Sequence, residues 1–103
     1  MFKVFLVEDE IVVREGIRKN IIWEQYGFIY AGDASDGELA LPLIRQIQPD
    51  LLITDIKMPF MDGLSLIELV RQELPKTKIV IISGYDDFSY AQQAIRSGVE
   101  QYL

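Results

Sequence analysis

The sequence predicts an α/β fold built as a doubly wound parallel sheet, and three observations carry that prediction. Short apolar runs rich in Val, Ile and Phe alternate with segments of helical spacing. Three of the four clear runs are almost continuously apolar, which suits parallel strands covered on both faces rather than half-exposed antiparallel ones. Capping and helix-stopping residues then fall at the boundaries between the two kinds of segment. The resulting order, βαβαβαβαβ, is that of a sheet wound in both directions from its centre.

The first strand is FKVFLV (2–7), and the helix after it is marked by Val13, Ile17 and Ile21. FIYAGDA (28–34) is the second strand; Ser35-Asp36-Gly37-Glu38 has capping-box spacing ahead of a helix marked by Leu39, Leu43 and Ile47. Pro42 falls inside that pattern and predicts a late start or a bend. LLITD (51–55) is the third strand, and Asp62 caps a helix carried by Leu64, Ile67, Val70 and Leu74. KIVIIS (78–83) is the fourth, with Asp87 capping a helix along Phe88, Ala91 and Ile95. Pro49, Pro75 and Gly98 follow helix ends, and a fifth strand begins at 99–103.

Composition narrows the function. The 103 residues make one domain, and 50% hydrophobic content rules against disorder. A net charge of -6 argues against nucleic-acid binding by this domain and suits a site that gathers carboxylates around a cation. Cysteine and histidine are both absent, which removes disulfides, thiolate chemistry, the usual zinc ligand and the commonest general base. No apolar run reaches membrane-spanning length and no signal peptide is visible at Met1, so a cytoplasmic protein without membrane contact is expected. No GxGxxG or Walker pattern supports nucleotide binding.

The informative residues end the strands. Glu8, Asp9 and Glu10 follow the first, Asp55 ends the third, and Ser83-Gly84 ends the fourth. Parallel strands place these ends on one rim, where ligands of such sheets bind. Any one of these acids alone reads equally well as a solvated loop residue. Three at one rim, with a hydroxyl at the next strand end, read better as a Mg²⁺ site, because packed carboxylates repel until a hard cation relieves them. Glu8, directly or through water, and Asp9 would hold Mg²⁺ with Asp55, and the backbone carbonyl of Lys57 could complete the protein ligands. Asp55, closing the central strand, is placed to accept a phosphoryl group. The Ser83 hydroxyl would lie within reach of a phosphoryl oxygen there, though a plain Ser–Gly turn reads as well for that residue alone.

LVEDE (6–10), ITDIKMPFMDG (53–63) and IISGYDDF (81–88) together resemble the three main motifs of the receiver domain of two-component response regulators, in order and over essentially the whole chain. The resemblance implies a flavodoxin-like sheet of order 2-1-3-4-5. It implies a phosphoryl transfer to Asp55 from a sensor histidine kinase, with Mg²⁺ as cofactor, and a chain that is not an enzyme beyond its own phosphorylation and dephosphorylation. It also implies that Ser83 and Tyr102 form a switch pair, whereas Tyr102 read by itself is a plain strand aromatic. SGYDDFSYAQQAI (83–95) and IIWEQYGF (21–28) are similar to receivers of AraC-type, YesN-like regulators, which implies a DNA-binding, helix-turn-helix output domain in a parent chain. Receivers continue past the switch aromatic to Lys-Pro and a last helix. The sequence stops at Leu103, so the expectation is a receiver truncated before that lysine, with the fifth strand incomplete and the last helix missing. Efficient phosphorylation and a homodimer face built on the last helix are then both in question, and an unpaired strand edge is expected.

Two other readings stand beside this one. A phosphorylation-independent interaction domain would keep the fold without the switch. A Mg²⁺-dependent phosphohydrolase with an aspartyl nucleophile would usually carry a second acid two residues after it, where this sequence has Lys57.

Overall fold

The computed structural model describes residues 1–82 and the strand at 101–102. In chain order the elements are β1 (Phe2–Val7), α1 (Ile11–Asn20), a 3-10 turn (Trp23–Tyr26), β2 (Phe28–Ala34), α2 (Gly37–Ile47), β3 (Leu51–Thr54), α3 (Gly63–Glu73), β4 (Lys78–Ile81) and β5 (Gln101–Tyr102). The strands form one parallel sheet in the order β2-β1-β3-β4-β5, a flavodoxin-like doubly wound topology. The fourth helix expected around Phe88, Ala91 and Ile95, with Asp87, Gly98 and Ser83, lies outside the described residues.

Strand alternation sorts the core into two layers. On one face Phe5, Val7, Leu52, Ile79 and Ile81 pack with Ala40, Leu41 and Ile44 of α2 and with Leu64, Leu66, Ile67 and Val70 of α3. The other face carries Val4, Leu6 and Ile53 under Trp23, with Ile17 of α1 against them. Period-2 burial on both faces is what the apolar run VFLV (4–7) of β1 requires. The two layers are unequal: Leu51, Val80 and Ile82 on the α1 face are only half-buried. Helix α1 has no fully buried residue and is held to the sheet chiefly through Ile17 and its contacts with the strand ends.

Three local expectations are corrected. The cap of α2 is Asp36 rather than Ser35, its side chain accepting from the Leu39 N–H at 2.9 Å. The N–H of buried Gly37 donates instead to Met61 O at 3.2 Å, so the loop before α3 completes the cap. Second, α2 starts at its cap and runs through Pro42 to Ile47 without a late start. Pro42 is exposed, so the ring sits in solvent and the missing N–H costs one hydrogen bond without breaking the helix. Third, Leu39 and Leu43 lie on the outer side of α2, while Ala40, Leu41 and Ile44 form its buried stripe. Both stripes have helical spacing, so periodicity alone could not choose between them. Val13 of α1 and Ile21, just past its end, are likewise exposed. By contrast, Asp62 caps α3 as expected, accepting from Ser65 N–H at 2.9 Å, and its Leu64, Ile67 and Val70 are buried. Strand β3 ends at Thr54, one residue before the expected end, because Asp55 already turns into the loop, and β4 spans Lys78–Ile81.

Pro42→Ala restores a helical donor at an exposed position. The melting temperature should rise, by an amount corresponding to at most about 3 kcal/mol. An unchanged or lower value would mean that the proline ring contributes contacts that outweigh the lost bond.

Candidate functional site at the carboxyl edge of the sheet

The ends of β1 and β3 are locked side by side. Val7 pairs with Thr54, and the Asp55 N–H donates to Val7 O at 3.1 Å, carrying the ladder one step past the strand. Glu8 is tied to β2 in the same way, through its N–H to Ala34 O at 3.1 Å. These bonds deliver Glu8 and Asp55 to the rim from neighbouring strands, and Asp9 follows in the turn. One carboxylate oxygen from each of the three lies within 4.8 Å of the others. Glu8 is buried, Asp55 half-buried and Asp9 exposed, so the cluster opens to solvent on one side.

Two of the three carboxylates accept hydrogen bonds from backbone donors. Asp55 Oδ1 accepts from Ile56 N–H at 2.7 Å, and Glu8 Oε2 accepts from Glu10 N–H at 3.0 Å. Burial pushes the Glu8 carboxyl up to about 7, and the neighbouring Asp9 and Asp55 add to the rise, while the Glu10 N–H opposes it.

The donor set fits a hard divalent cation. All three groups are oxygen ligands, and Mg²⁺–oxygen bonds of roughly 2.1 Å place ligand atoms on opposite sides about 4 Å apart, close to the observed span. Lys57 is exposed in the loop two residues beyond Asp55. Tyr102 lies in β5, whose backbone pairs at Ile81, while Ser83 is outside the described residues.

The loop from Asp55 to Asp62 is pinned at both ends. Gly63 N–H donates to Ile56 O at 2.7 Å, and a Cβ on Gly63 would come within 1.9 Å of Asp55 O. Nothing larger than glycine fits there without moving the backbone that carries Asp55. A Cβ on Gly37 would likewise meet Met61 O at 2.8 Å. Between these anchors Phe60 holds a left-handed backbone with φ 68 and points its ring outward, 84% exposed. In the sequence Gly63 appears only as the last residue of ITDIKMPFMDG; its close approach to Asp55 is a tertiary contact. Arg14 was not signalled at all, yet its Nη1 donates to the Glu8 main-chain carbonyl at 2.7 Å.

The Glu8 shift has a defined sign. Its folded-state carboxyl holds a proton between about 4.5 and about 7, where the unfolded chain has released it. In metal-free buffer its contribution to stability is therefore greatest below this window and is lost as pH rises through it. Glu8→Gln removes the titration, so its melting temperature relative to the parent should climb from pH 4.5 to 7 and then level off. A difference that stays constant across that window would show that Glu8 does not titrate there. Gly63→Ala should lower the melting temperature, and retention of the parent value would contradict the close approach to Asp55.

Comparison with known proteins gives this geometry a family. A family model described as response regulator receiver domain matches residues 4–103. An uncharacterized response regulatory protein of Staphylococcus epidermidis is 44% identical over the 103 residues, which cover 40% of that protein. The transcriptional regulatory protein HptR of Staphylococcus aureus is 43% identical, with 40% of its length covered. The uncharacterized transcriptional regulatory protein YesN of Bacillus subtilis is 40% identical over the whole chain, which spans 28% of that relative. Among solved structures, the REC domain of AraT, a response regulator from Geobacillus stearothermophilus, is 45% identical with a TM-score of 0.92, covering 99% of this chain and 79% of that one. With sequence, sheet order and overall geometry in agreement, the chain belongs to the response regulator receiver domain family.

Proposed function

We propose that this chain is the phosphoacceptor switch of a two-component system, in which Asp55 takes a phosphoryl group from a phosphohistidine on a sensor histidine kinase. The observation that carries the reading is the convergence of Glu8, Asp9 and Asp55 within 4.8 Å on a rigid sheet edge. An Asp55 carboxylate oxygen forms the new bond to phosphorus as the nitrogen–phosphorus bond of the donor breaks, and the imidazole leaves with the electron pair. Transfers of this kind need positioning and charge neutralisation more than covalent help from the protein. The backbone supplies the positioning: the Ile56 N–H engages Oδ1, and the pinned loop fixes the direction of the side chain.

Mg²⁺ bound by Glu8, Asp9 and Asp55, with the Lys57 carbonyl as a further ligand, would neutralise phosphoryl oxygens and relieve the carboxylate repulsion. Ser83 would donate its hydroxyl to the phosphoryl group, and Tyr102 would respond as the switch aromatic. The output is then a population shift and not a released product. The names of the relatives support a transcription-regulating output, and the chain spans only 28–40% of their length. We assign that output to an AraC-type DNA-binding domain of a longer parent protein in the cytoplasm. Among the described residues no helix is long and apolar enough to cross a membrane.

Incubation with a small acyl phosphate and Mg²⁺ should add one phosphoryl group by intact mass, and Asp55→Asn or chelation of the metal should abolish the gain. No gain in a parent chain that continues past residue 103 would overturn the assignment. Mg²⁺ alone should raise the melting temperature, since a ligand at 100 times its dissociation constant stabilises by roughly 2.7 kcal/mol. An unchanged melting curve would count against an assembled metal site.

A further inference from the structure

A chain of polar contacts runs from the acidic turn to β2. Arg14 stands in the first turn of α1, where its N–H donates to Glu10 O at 2.9 Å. Its Nη1 donates to the Glu8 carbonyl at 2.7 Å, and its Nε lies 4.0 Å from Asp33 Oδ1. Asp33 Oδ2 in turn accepts from the Tyr30 hydroxyl at 2.8 Å, and the Tyr30 ring packs 5.7 Å from that of Trp23. The Arg14 side chain is only 16% exposed, so it is an enclosed strut and not a waving surface cation.

The position of the Glu8 backbone governs the acidic cluster. The Glu8 carboxylate is bonded to the Glu10 N–H, so side chain and turn move together. Glu8 and Asp9 cluster with Asp55, Glu10 follows them directly in the chain, and the mutual repulsion of these acids favours opening the turn. A donor on the Glu8 carbonyl, itself anchored to β2, opposes that opening. The planar guanidinium suits the task because one N–H can reach the carbonyl while another faces the carboxylate.

We infer that Arg14 is the positioning residue of the acidic turn: steadied by Asp33 and Tyr30, it fixes the Glu8 carbonyl and so presents Glu8 and Asp9 to a cation shared with Asp55. The inference rests on the reading of this cluster as a Mg²⁺ site. It makes a prediction opposite in sign to simple electrostatics. A cation beside an acidic cluster competes with Mg²⁺, so on charge alone its removal tightens metal binding. A positioning residue, when removed, weakens it.

The test is calorimetric titration of the metal-free chain with MgCl₂, well below its melting temperature, for the parent, Arg14→Met, Arg14→Lys and Tyr30→Phe. Arg14→Met should bind Mg²⁺ roughly ten- to a hundredfold more weakly, the range seen when partners that orient metal ligands are lost. Arg14→Lys, which keeps the charge but not the fork, should lose less, and Tyr30→Phe should shift affinity in the same direction. A merely structural Arg14 would lower the metal-free melting temperature yet leave Mg²⁺ affinity of the folded chain unchanged. Equal or tighter binding by Arg14→Met overturns the inference; if that variant does not fold, Arg14→Lys and Tyr30→Phe are judged by the same criterion. A parent chain that does not bind Mg²⁺ overturns the reading beneath the inference, whereas a parent that binds with unaltered variants overturns the inference alone.

Discussion

Everything at the functional edge depends on three carboxylates being held together against their own repulsion. Glu8 and Asp55 cannot drift apart, because their N–H groups are bonded to Ala34 O and Val7 O, extending the strand ladders of a buried sheet. Moving either would break main-chain bonds in the least exposed part of the molecule, where an unpaired group costs about 1–3 kcal/mol. With the geometry fixed, relief must come from a proton or a cation. Burial raises the Glu8 carboxyl, and the neighbouring Asp9 and Asp55 add to the rise, so a proton is held more tightly there than on a solvated glutamate.

The rest of the fold serves to keep that edge rigid. The α2–α3 side of the sheet is densely packed, with Phe5, Ile44, Leu66, Ile67, Ile79 and Ile81 almost wholly buried. That layer fixes α2 and α3, and these helices clamp the loop carrying the site, α2 through Gly37 and α3 through Gly63. An Arg45–Glu73 pair, with contacts of 2.7 and 2.9 Å, ties the two helices at their outer ends, although its exposure limits what it contributes. The opposite layer is thinner, and α1 rests on it mainly through Ile17, so the acidic turn at the start of α1 gains its order from hydrogen bonds more than from packing.

The elements that were legible in the sequence share a physical reason. Strands buried on both faces must be almost wholly apolar, so β1, β3 and β4 announce themselves. Asp62 reads as a cap because its side chain acts on a backbone N–H three residues away, a strictly local contact. The acidic residues could be placed on one rim because parallel strands have a common direction, which needs no knowledge of distances. Legibility fails where the deciding contact is distant. Asp36 and not Ser35 caps α2 because Met61, far along the chain, occupies the Gly37 N–H. The buried stripe of α2 could not be chosen over Leu39 and Leu43 because both have the same period, and only the sheet beneath decides.

The sequence by itself therefore determined the strand and helix alternation, the parallel sheet, and which acids could meet, since these follow from local burial pattern and chain direction. Tertiary structure alone decided how closely Glu8, Asp9 and Asp55 approach and how strongly burial raises the Glu8 carboxyl. It also made Gly63 indispensable against Asp55 O and brought Arg14 onto the Glu8 carbonyl. Those properties depend on distances between elements, and a one-dimensional pattern records periodicity and polarity but no distance across the sheet.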